Sequence, residues 1–408
     1  MSAPDPSPLA LVLSGGGARG AYEVGVLKYL LGELMPRLGP QARPRIFCGT
    51  SVGAINACAT AAHFQSPDLG VGKLTERWRS LSLDDVFKLG WGDLAGLARW
   101  IYGAAAPDGP RSLLDATPLA SLVREVIPWR GLHQAVAERA IIGVAISATD
   151  VETGHTVVFV ETEDPGLLVS RDRAIDWAQA RLTAQHALAS AAIPIIFPTV
   201  RVAGRIYSDG SLRQNTPIAP ALRLGAGRVL VVGLRTRRAG RPVSREGRQD
   251  EEDQRAYSSP IFLFGKLLDA LLLDRVENDL ANLRQVNAAL QALQRTSPMA
   301  IGQEPIAAAL ETAGGSLRPV QDAFIRPSQD LGKLAADVLQ RTAVRARLTG
   351  PAGYLLRRLG EAAGNGDPSD LLSYLLFDAD YTDELISLGE RDARAMSPAL
   401  EKLLSGAA

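Results

Sequence analysis

Three short segments of this chain carry the residue types that acyl transfer requires. Residues 15–20 (GGGARG) form a glycine-rich turn after an apolar run. Residues 49–53 (GTSVG) have the G-x-S-x-G spacing of a sharp turn that exposes a nucleophilic serine between a strand and a helix. Residues 208–210 (SDG) place a carboxylate after a strand-like segment. An anion-binding loop, a nucleophile and a base are the groups that acyl transfer needs.

The glycine loop has more than one interpretation. Its G-x-G-x-x-G spacing is also the signature of dinucleotide binding, which requires an acidic residue at the end of the second strand. No acidic residue lies between Gln41 and Ala59, which disfavours a nucleotide cofactor. Free amides at the start of a helix bind negative charge, so the loop is a candidate oxyanion hole. A plain glycine turn remains the alternative.

Ser51 is the candidate nucleophile, although a serine before a helix can also act as an N-cap. A histidine base is hard to find for it. An α/β-hydrolase places its histidine late in the chain, after the serine and the acid. The four histidines are His63, His133, His155 and His186, and none follows position 186. We therefore expect the histidines to be structural or exposed.

Asp209 is the candidate base instead. It follows the strand-like residues 200–207 and precedes Gly210, a position at which sites form in α/β sheets. A carboxylate is a weak base at neutral pH unless it is buried against the hydroxyl that it serves. The competing interpretation is an ordinary Asp-Gly turn of a hairpin.

The elements around these motifs predict an α/β fold. Apolar runs predict buried strands, and residues spaced at helical intervals or rich in alanine predict helices. Pro36 is predicted to end the first helix. Residues 201–208 are predicted as a strand or as a hairpin that turns at Ala203-Gly204. The predicted strands are Leu9–Leu13, Arg45–Cys48, Ala140–Thr149, Thr156–Val160 and Arg228–Gly233, and the predicted helices of this half are Ala21–Leu34, Val52–Ala62 and Ala178–Ala192.

Composition and charge exclude several function classes. Lys+Arg and Asp+Glu both number 44, so the zero net charge gives no sign of a nucleic-acid partner. The two cysteines, Cys48 and Cys58, flank the serine turn and predict no disulfide framework. The cysteines and histidines show no metal-ligand spacing. Because neither a signal peptide nor a run of about 18 apolar residues is evident, we expect a cytoplasmic protein.

Four motifs, in their order and spacing, resemble the patatin-like phospholipases over about Leu9 to Gly233. They are LSGGGARG (13–20), GTSVGA (49–54), ASAAIPIIFP (189–198) and DG (209–210). The resemblance implies a three-layer α/β/α sandwich with a mostly parallel central sheet, related to cytosolic phospholipase A2. It implies hydrolysis of lipid or phospholipid acyl esters without metal or nucleotide. One departure is Ser211, which stands where the family usually has glycine or alanine.

The resemblance also implies a role for each matching residue. Ser51 would be the nucleophile and Asp209 the base of a Ser–Asp dyad. The 189–198 segment would pack beside the site and shape it. The backbone of the oxyanion hole would come from Gly15, Gly16, Gly17, Ala18 and Arg19. The turns would be supported by Gly20, Gly49, Gly53 and Gly210.

The predicted organisation has three parts. A catalytic domain spans 9–235, a charged linker spans 236–256 and a mainly helical region spans 257–408. Residues 68–110 read as helices and loops that form a lid or an insertion. The apolar stretch Pro260–Leu273 could bind a membrane surface peripherally, line an acyl channel or pack on the core, and packing is the commonest fate.

Overall fold

The computed structural model describes residues 7–90, 114–168, 175–194, 196–236, 276–296, 319–363 and 369–406. Its strands are β1 (Leu9–Leu13), β2 (Ile46–Thr50), β3 (Gly143–Asp150), β4 (Thr156–Thr162), β5 (Ile175–Gln179), β6 (Val200–Val202), β7 (Arg205–Asp209), β8 (Arg228–Val232) and β9 (Gln321–Ile325). The apolar stretch Pro260–Leu273, all but the first residue of the predicted linker, and residues 91–110 of the predicted lid lie outside the described residues.

Residues 20–223 contribute one set of helices around the sheet. They are α1 (Gly20–Tyr29), a π-helical turn (Leu30–Leu34), α2 (Met35–Leu38), α3 (Val52–Ala62), α4 (Pro67–Ser80), α5 (Leu83–Val86), α6 (Thr117–Val126), α7 (Trp129–Ala137), α8 (Ala184–Ser190) and α9 (Ile218–Arg223). The C-terminal helices are α10 (Val276–Thr296), α11 (Leu331–Leu339), α12 (Thr342–Arg347), α13 (Gly350–Ala363), α14 (Ser369–Leu375), α15 (Ala379–Ala395) and α16 (Ser397–Ser405).

The described strands form one mostly parallel sheet in the order β5-β4-β3-β2-β1-β8-β9. Strand β3 pairs with β4 and β7 in the antiparallel sense, and β7 also pairs with β6. Alternate residues of β1 belong to two separate apolar cores, one on each face of the sheet. Both faces are thus covered, as parallel sheets require. The α/β/α sandwich with C-terminal helices is therefore confirmed.

The C-terminal residues share this sheet and its core. Strand β9 pairs in parallel with β8, from Arg228 opposite Gln321 to Val232 opposite Ile325. Helix α15 packs along α1, and its Leu385 and Ile386 are fully buried. The C-terminal elements that the structure describes are therefore continuous with the structure that carries the candidate motifs.

Two local predictions are wrong. Pro36 does not end the first helix, because a π-helical turn precedes it and Pro36 lies in the first turn of α2, where no donor is needed. Residues 178–192 are not one helix, since β5 continues to Gln179 and α8 begins only after Thr183, which caps it. The hairpin at 201–208 is confirmed, with positive φ angles of 47° at Ala203 and 86° at Gly204.

Candidate active site

Strand β3 aligns the two candidate catalytic residues. The last residue of β2, Thr50, lies opposite Ser147 of β3. The next residue of β3, Ala148, pairs with Asp209 at the end of β7. Ser51 follows Thr50 directly, so both side chains lie at the same point of the sheet. The Ser51 Oγ donates a hydrogen bond of 2.7 Å to Asp209 Oδ2.

The turn at Ser51 has the geometry of a nucleophile elbow. Ser51 adopts φ 55° and ψ −126°, a conformation that non-glycine residues rarely adopt and that stores strain. Its side chain makes no capping hydrogen bond to α3, so the N-cap interpretation is wrong. The Ser51 amide donates to Ser190 Oγ at 2.8 Å, and Ser190 Oγ donates to the Ser147 carbonyl at 2.6 Å. Helix α8 thus fixes the elbow to β3.

Asp209 is fully buried and held on several sides. Its Oδ1 accepts a 2.8 Å hydrogen bond from the Ser211 amide, which leaves Oδ2 for Ser51. Its carbonyl accepts from Thr149 Oγ1 at 2.9 Å, and its amide donates to Ala192 O at 2.9 Å. Because the hairpin turns at Ala203-Gly204, the interpretation of Asp209 as a hairpin turn residue is wrong.

Burial changes the acidity of this carboxyl. Loss of hydration penalises the charged form and raises the pKa of Asp209 to about 6. Hydrogen bonds from the Ser211 amide, Ser51 and the Ser211 side chain favour the charged form and oppose this rise. The carboxyl is consequently a better proton acceptor than an exposed aspartate and is still ionised at neutral pH.

The glycine loop lies directly against the elbow. A Cβ on Gly15 would overlap Ser211 Oγ and lie 3.1 Å from Ser51 Cβ, so a residue with a side chain would displace the site. The Gly15 amide donates to Asn215 O at 3.1 Å, and the Arg19 amide donates to Gly16 O at 3.2 Å. Within the described part of the chain, no acceptor bonds the amides of Gly16, Gly17 and Ala18. Those three amides are the ones free to bind an anion.

The Arg19 side chain contacts the C-terminal region. Its Nε donates to Ser373 Oγ at 2.7 Å, and a terminal nitrogen pairs with Asp370 Oδ1 at 2.7 Å. The guanidinium also lies 4.1 Å from the centroid of the Tyr374 ring. Arg19 therefore joins the loop to α14 through its side chain.

The remaining glycines of the motifs allow close backbone contacts around the elbow. The Cα of Gly49 lies against the carbonyl of Gly53, and that of Gly53 against the carbonyl of Leu13. The Cα of Gly210 lies against the carbonyl of Ser147. Strand β2, helix α3 and strand β3 consequently meet at the serine turn with little space between them.

An apolar cleft opens beside Ser51. Trp78 and Phe377 stack in its wall with ring centroids 6.3 Å apart. Phe197, which packs against Phe87, comes from the predicted site-shaping segment. The cleft is lined by Gly17, Ser51, Val52, Ile55, Leu74, Arg77, Trp78, Leu81, Val86, Leu119, Leu122, Val123, Val126, Ile127, Ala191, Ile193, Phe197 and Phe377. Such a lining suits a hydrocarbon chain.

No histidine serves Ser51, and all four lie in the described part of the chain. His63 bonds Ala59 O and His133 bonds Glu161, while His155 pairs with Asp176. His186 bonds Thr183, and burial lowers its pKa. Among the described residues, no three His, Cys, Asp or Glu side chains cluster as metal ligands.

Several residues that contact the candidate site could not be predicted from the sequence alone. Ser190 lies in the 189–198 motif, and the only sequence feature that sets it apart is that it is a polar residue among alanines. Asp370, Ser373 and Phe377 lie more than 300 positions from the loop and belong to no motif. Only the packing of α14 brings them to the site.

Comparison with known proteins gives one family and a remote structural likeness. A family model described as "Patatin-like phospholipase" matches residues 11–222. No curated protein sequence matches the chain. Among 14 matching chains of solved structures is the crystal structure of VipD from Legionella pneumophila, with 13% identity and a TM-score of 0.29. That alignment covers 95% of this chain and 67% of that one. None of the helices that the structure describes has the length and apolar character to cross a bilayer.

Proposed function

The chain belongs to the patatin-like phospholipase family, and we propose that it is a serine acyl hydrolase that cleaves fatty-acyl esters of lipids with Ser51 and Asp209. The observation that carries the proposal is the 2.7 Å hydrogen bond from the Ser51 hydroxyl to the buried Asp209 carboxylate. A nucleophile bonded to a base of raised pKa, beside free backbone amides and an apolar cleft, fits acyl transfer.

Acylation would begin with attack of Ser51 Oγ on the ester carbonyl carbon. Asp209 takes the hydroxyl proton as the new C–O bond forms, and the carbonyl oxygen becomes an oxyanion. The free amides of Gly16, Gly17 and Ala18 are the donors that would stabilise it. When the intermediate collapses, the bond to the leaving alcohol breaks and Asp209 gives that alcohol its proton. The acyl group remains on Ser51.

Deacylation would repeat these steps with water as the nucleophile. Asp209 removes a proton from the water as it attacks the acyl carbon, and the same amides bind the second oxyanion. Collapse breaks the bond to Ser51 Oγ, which regains its proton from Asp209, and the fatty acid leaves. This cycle uses two side chains and needs no histidine.

The substrate proposal follows from the cleft. An acyl chain on Ser51 would have the apolar walls around Trp78, Leu119 and Phe377 beside it. A phospholipid or other lipid ester brings the protein to a membrane surface, so peripheral contact is part of the proposal. A cytoplasmic location and a catalytic domain over 9–235 also remain proposals.

A fluorophosphonate probe tests the function directly, because it phosphonylates an activated serine. We expect one equivalent of label per chain, located on the Ser51 peptide by mass spectrometry, and parallel loss of p-nitrophenyl butyrate hydrolysis. The matched control is Ser208, which is buried beside Asp209 but donates its hydroxyl hydrogen bond to Ala192 O. Label on Ser208, or none at all, would contradict the mechanism.

Probe labelling and two binding measurements together separate the alternative functions. A lipid-binding member of the fold without catalysis would bind fatty acid yet leave the probe unreacted. The dinucleotide-dependent alternative would show NAD binding by titration. In the structure, the strand that should end in an acid leads into Ser51, so no observation favours that alternative.

The pKa of Asp209 predicts an acid limit of activity. Because the ionised carboxylate is the base, kcat/KM should fall as the pH drops through about 6, to about a tenth of its plateau at pH 5. Ser211→Ala removes a hydrogen bond that lowers this pKa, so its acid limb should move to higher pH. The measurement is kcat/KM from pH 4.5 to 9. A limb near pH 4 in the wild type would contradict the assignment of the base.

A further inference from the structure

We propose that helix α14 of the C-terminal region is a working part of the active site, because Asp370 and Ser373 position the glycine loop through Arg19. This inference rests on the proposed function, since the loop amides matter only if an oxyanion forms beside Ser51. It adds a role for residues outside the matched range 11–222.

The Arg19 side chain is the link. Its exposed fraction is 3%, and it makes two charge-assisted hydrogen bonds of 2.7 Å, to the Asp370 carboxylate and to Ser373 Oγ. A third bond of 3.3 Å reaches the Asp370 carbonyl, and the guanidinium stacks on Tyr374. A planar guanidinium group that is hydrogen-bonded at several points is held in one orientation. The backbone that carries Arg19 is fixed accordingly.

That backbone belongs to the same short helical turn as the free amides. The turn spans Gly17–Arg19, and the Arg19 amide donates to Gly16 O. Gly17 has φ +57°, and its Cα lies against the Tyr374 carbonyl, where no side chain would fit. Helix α14 therefore contacts the loop twice, once through the Arg19 side chain and once through the Gly17 backbone.

Oxyanion stabilisation depends strongly on where these amides point. A displacement of about 1 Å at a reacting centre can lower the rate about 100-fold. An Arg19 that loses its carboxylate partner stays buried without its counter-charge, so the side chain is driven to move. Any movement of Arg19 shifts the turn that carries the Gly17 and Ala18 amides.

The test compares two variants that each remove one ion pair between α1 or its loop and the C-terminal helices. Asp370→Asn breaks the pair with Arg19. Glu390→Gln breaks the 2.6 Å pair with Lys28, which joins α1 to α15 away from the loop, and also the 3.1 Å pair with Arg394 within α15. We measure kcat and KM for p-nitrophenyl butyrate, the thermal midpoint, and the affinity for an alkyl trifluoromethyl ketone, which forms an oxyanion on an active serine.

For Asp370→Asn we expect kcat to fall about 10- to 100-fold with KM within about twofold, and ketone affinity to fall in proportion. Glu390→Gln should keep the wild-type kcat and ketone affinity. If Asp370→Asn fails to fold, Ser373→Ala removes one bond to the same guanidinium and should lower kcat about threefold to tenfold. Variants with a lower thermal midpoint but wild-type kcat and ketone affinity would overturn the inference. An inactive wild type would instead overturn the proposed function.

Discussion

Ser51→Ala is expected to abolish ester hydrolysis, with a fall in kcat of about 10⁴-fold or more. The change removes the oxygen proposed to attack the carbonyl and the hydrogen bond that this oxygen donates to Asp209 Oδ2, while the bond from the Ser211 amide to Oδ1 stays. Substrate binding should persist, because the apolar cleft is intact. Mass spectrometry of the products formed from a mixed lipid extract measures the loss and also identifies the lipid class that the wild type cleaves.

Ser405→Ala is the control for that comparison. Ser405 is exposed at the end of α16 and bonds only the carbonyl of Lys402 among the described residues, so its loss should leave the product pattern unchanged. If Ser51→Ala released the same fatty acids as the wild type, Ser51 could not be the nucleophile.

Asp209→Asn is expected to lower kcat by about 10³- to 10⁴-fold with little change in KM. Asparagine has nearly the same shape, but its side chain cannot take the proton of Ser51. Reaction with the fluorophosphonate probe should slow to a similar extent, because the serine loses its activation. Near wild-type labelling of the variant would mean that another group is the base.

The stability of Asp209→Asn provides a second readout. Because burial raises the pKa of Asp209, ionisation above pH 6 costs folding free energy, and that cost is absent below the unfolded-state pKa. At pH 8 the variant should therefore be at least as stable as the wild type, and this advantage should shrink as the pH falls towards 4. Thermal unfolding at pH 8 and pH 4.5 tests this. A variant that is much less stable at pH 8 would assign Asp209 a structural role.

The sequence predicted the parts of the fold whose signals are local. Buried strands such as 9–13 read as continuous apolar runs, and the hairpin turn needs residues that accept positive φ. The candidate nucleophile and base were predicted as a pair, since the absence of a late histidine made Asp209 the remaining candidate base for Ser51. Their assignment as catalytic remains a prediction, although the 2.7 Å contact between them agrees with it.

What the sequence could not predict depends on distant packing. Arg19 was predicted only as part of the oxyanion loop, because its side-chain partner Asp370 lies 351 positions away and no local pattern connects the two residues. The prediction of one helix over 178–192 was wrong because alanine content indicates only helix propensity. Residues 178 and 179 pair with β4 and therefore form a strand. Strand β9 carries Asp322 and a charged neighbourhood, so it did not read as part of a buried sheet.

The place of β9 in the sheet affects how the protein is made. During synthesis, Val232 at the end of β8 is made 93 positions before Ile325, its partner in β9. Until then, the nascent chain carries Ser51, Asp209 and the glycine loop, but the apolar strand β8 leaves one edge of the sheet unpaired. The candidate catalytic residues are thus synthesised early, and the last of the described strands follows only after about four-fifths of translation.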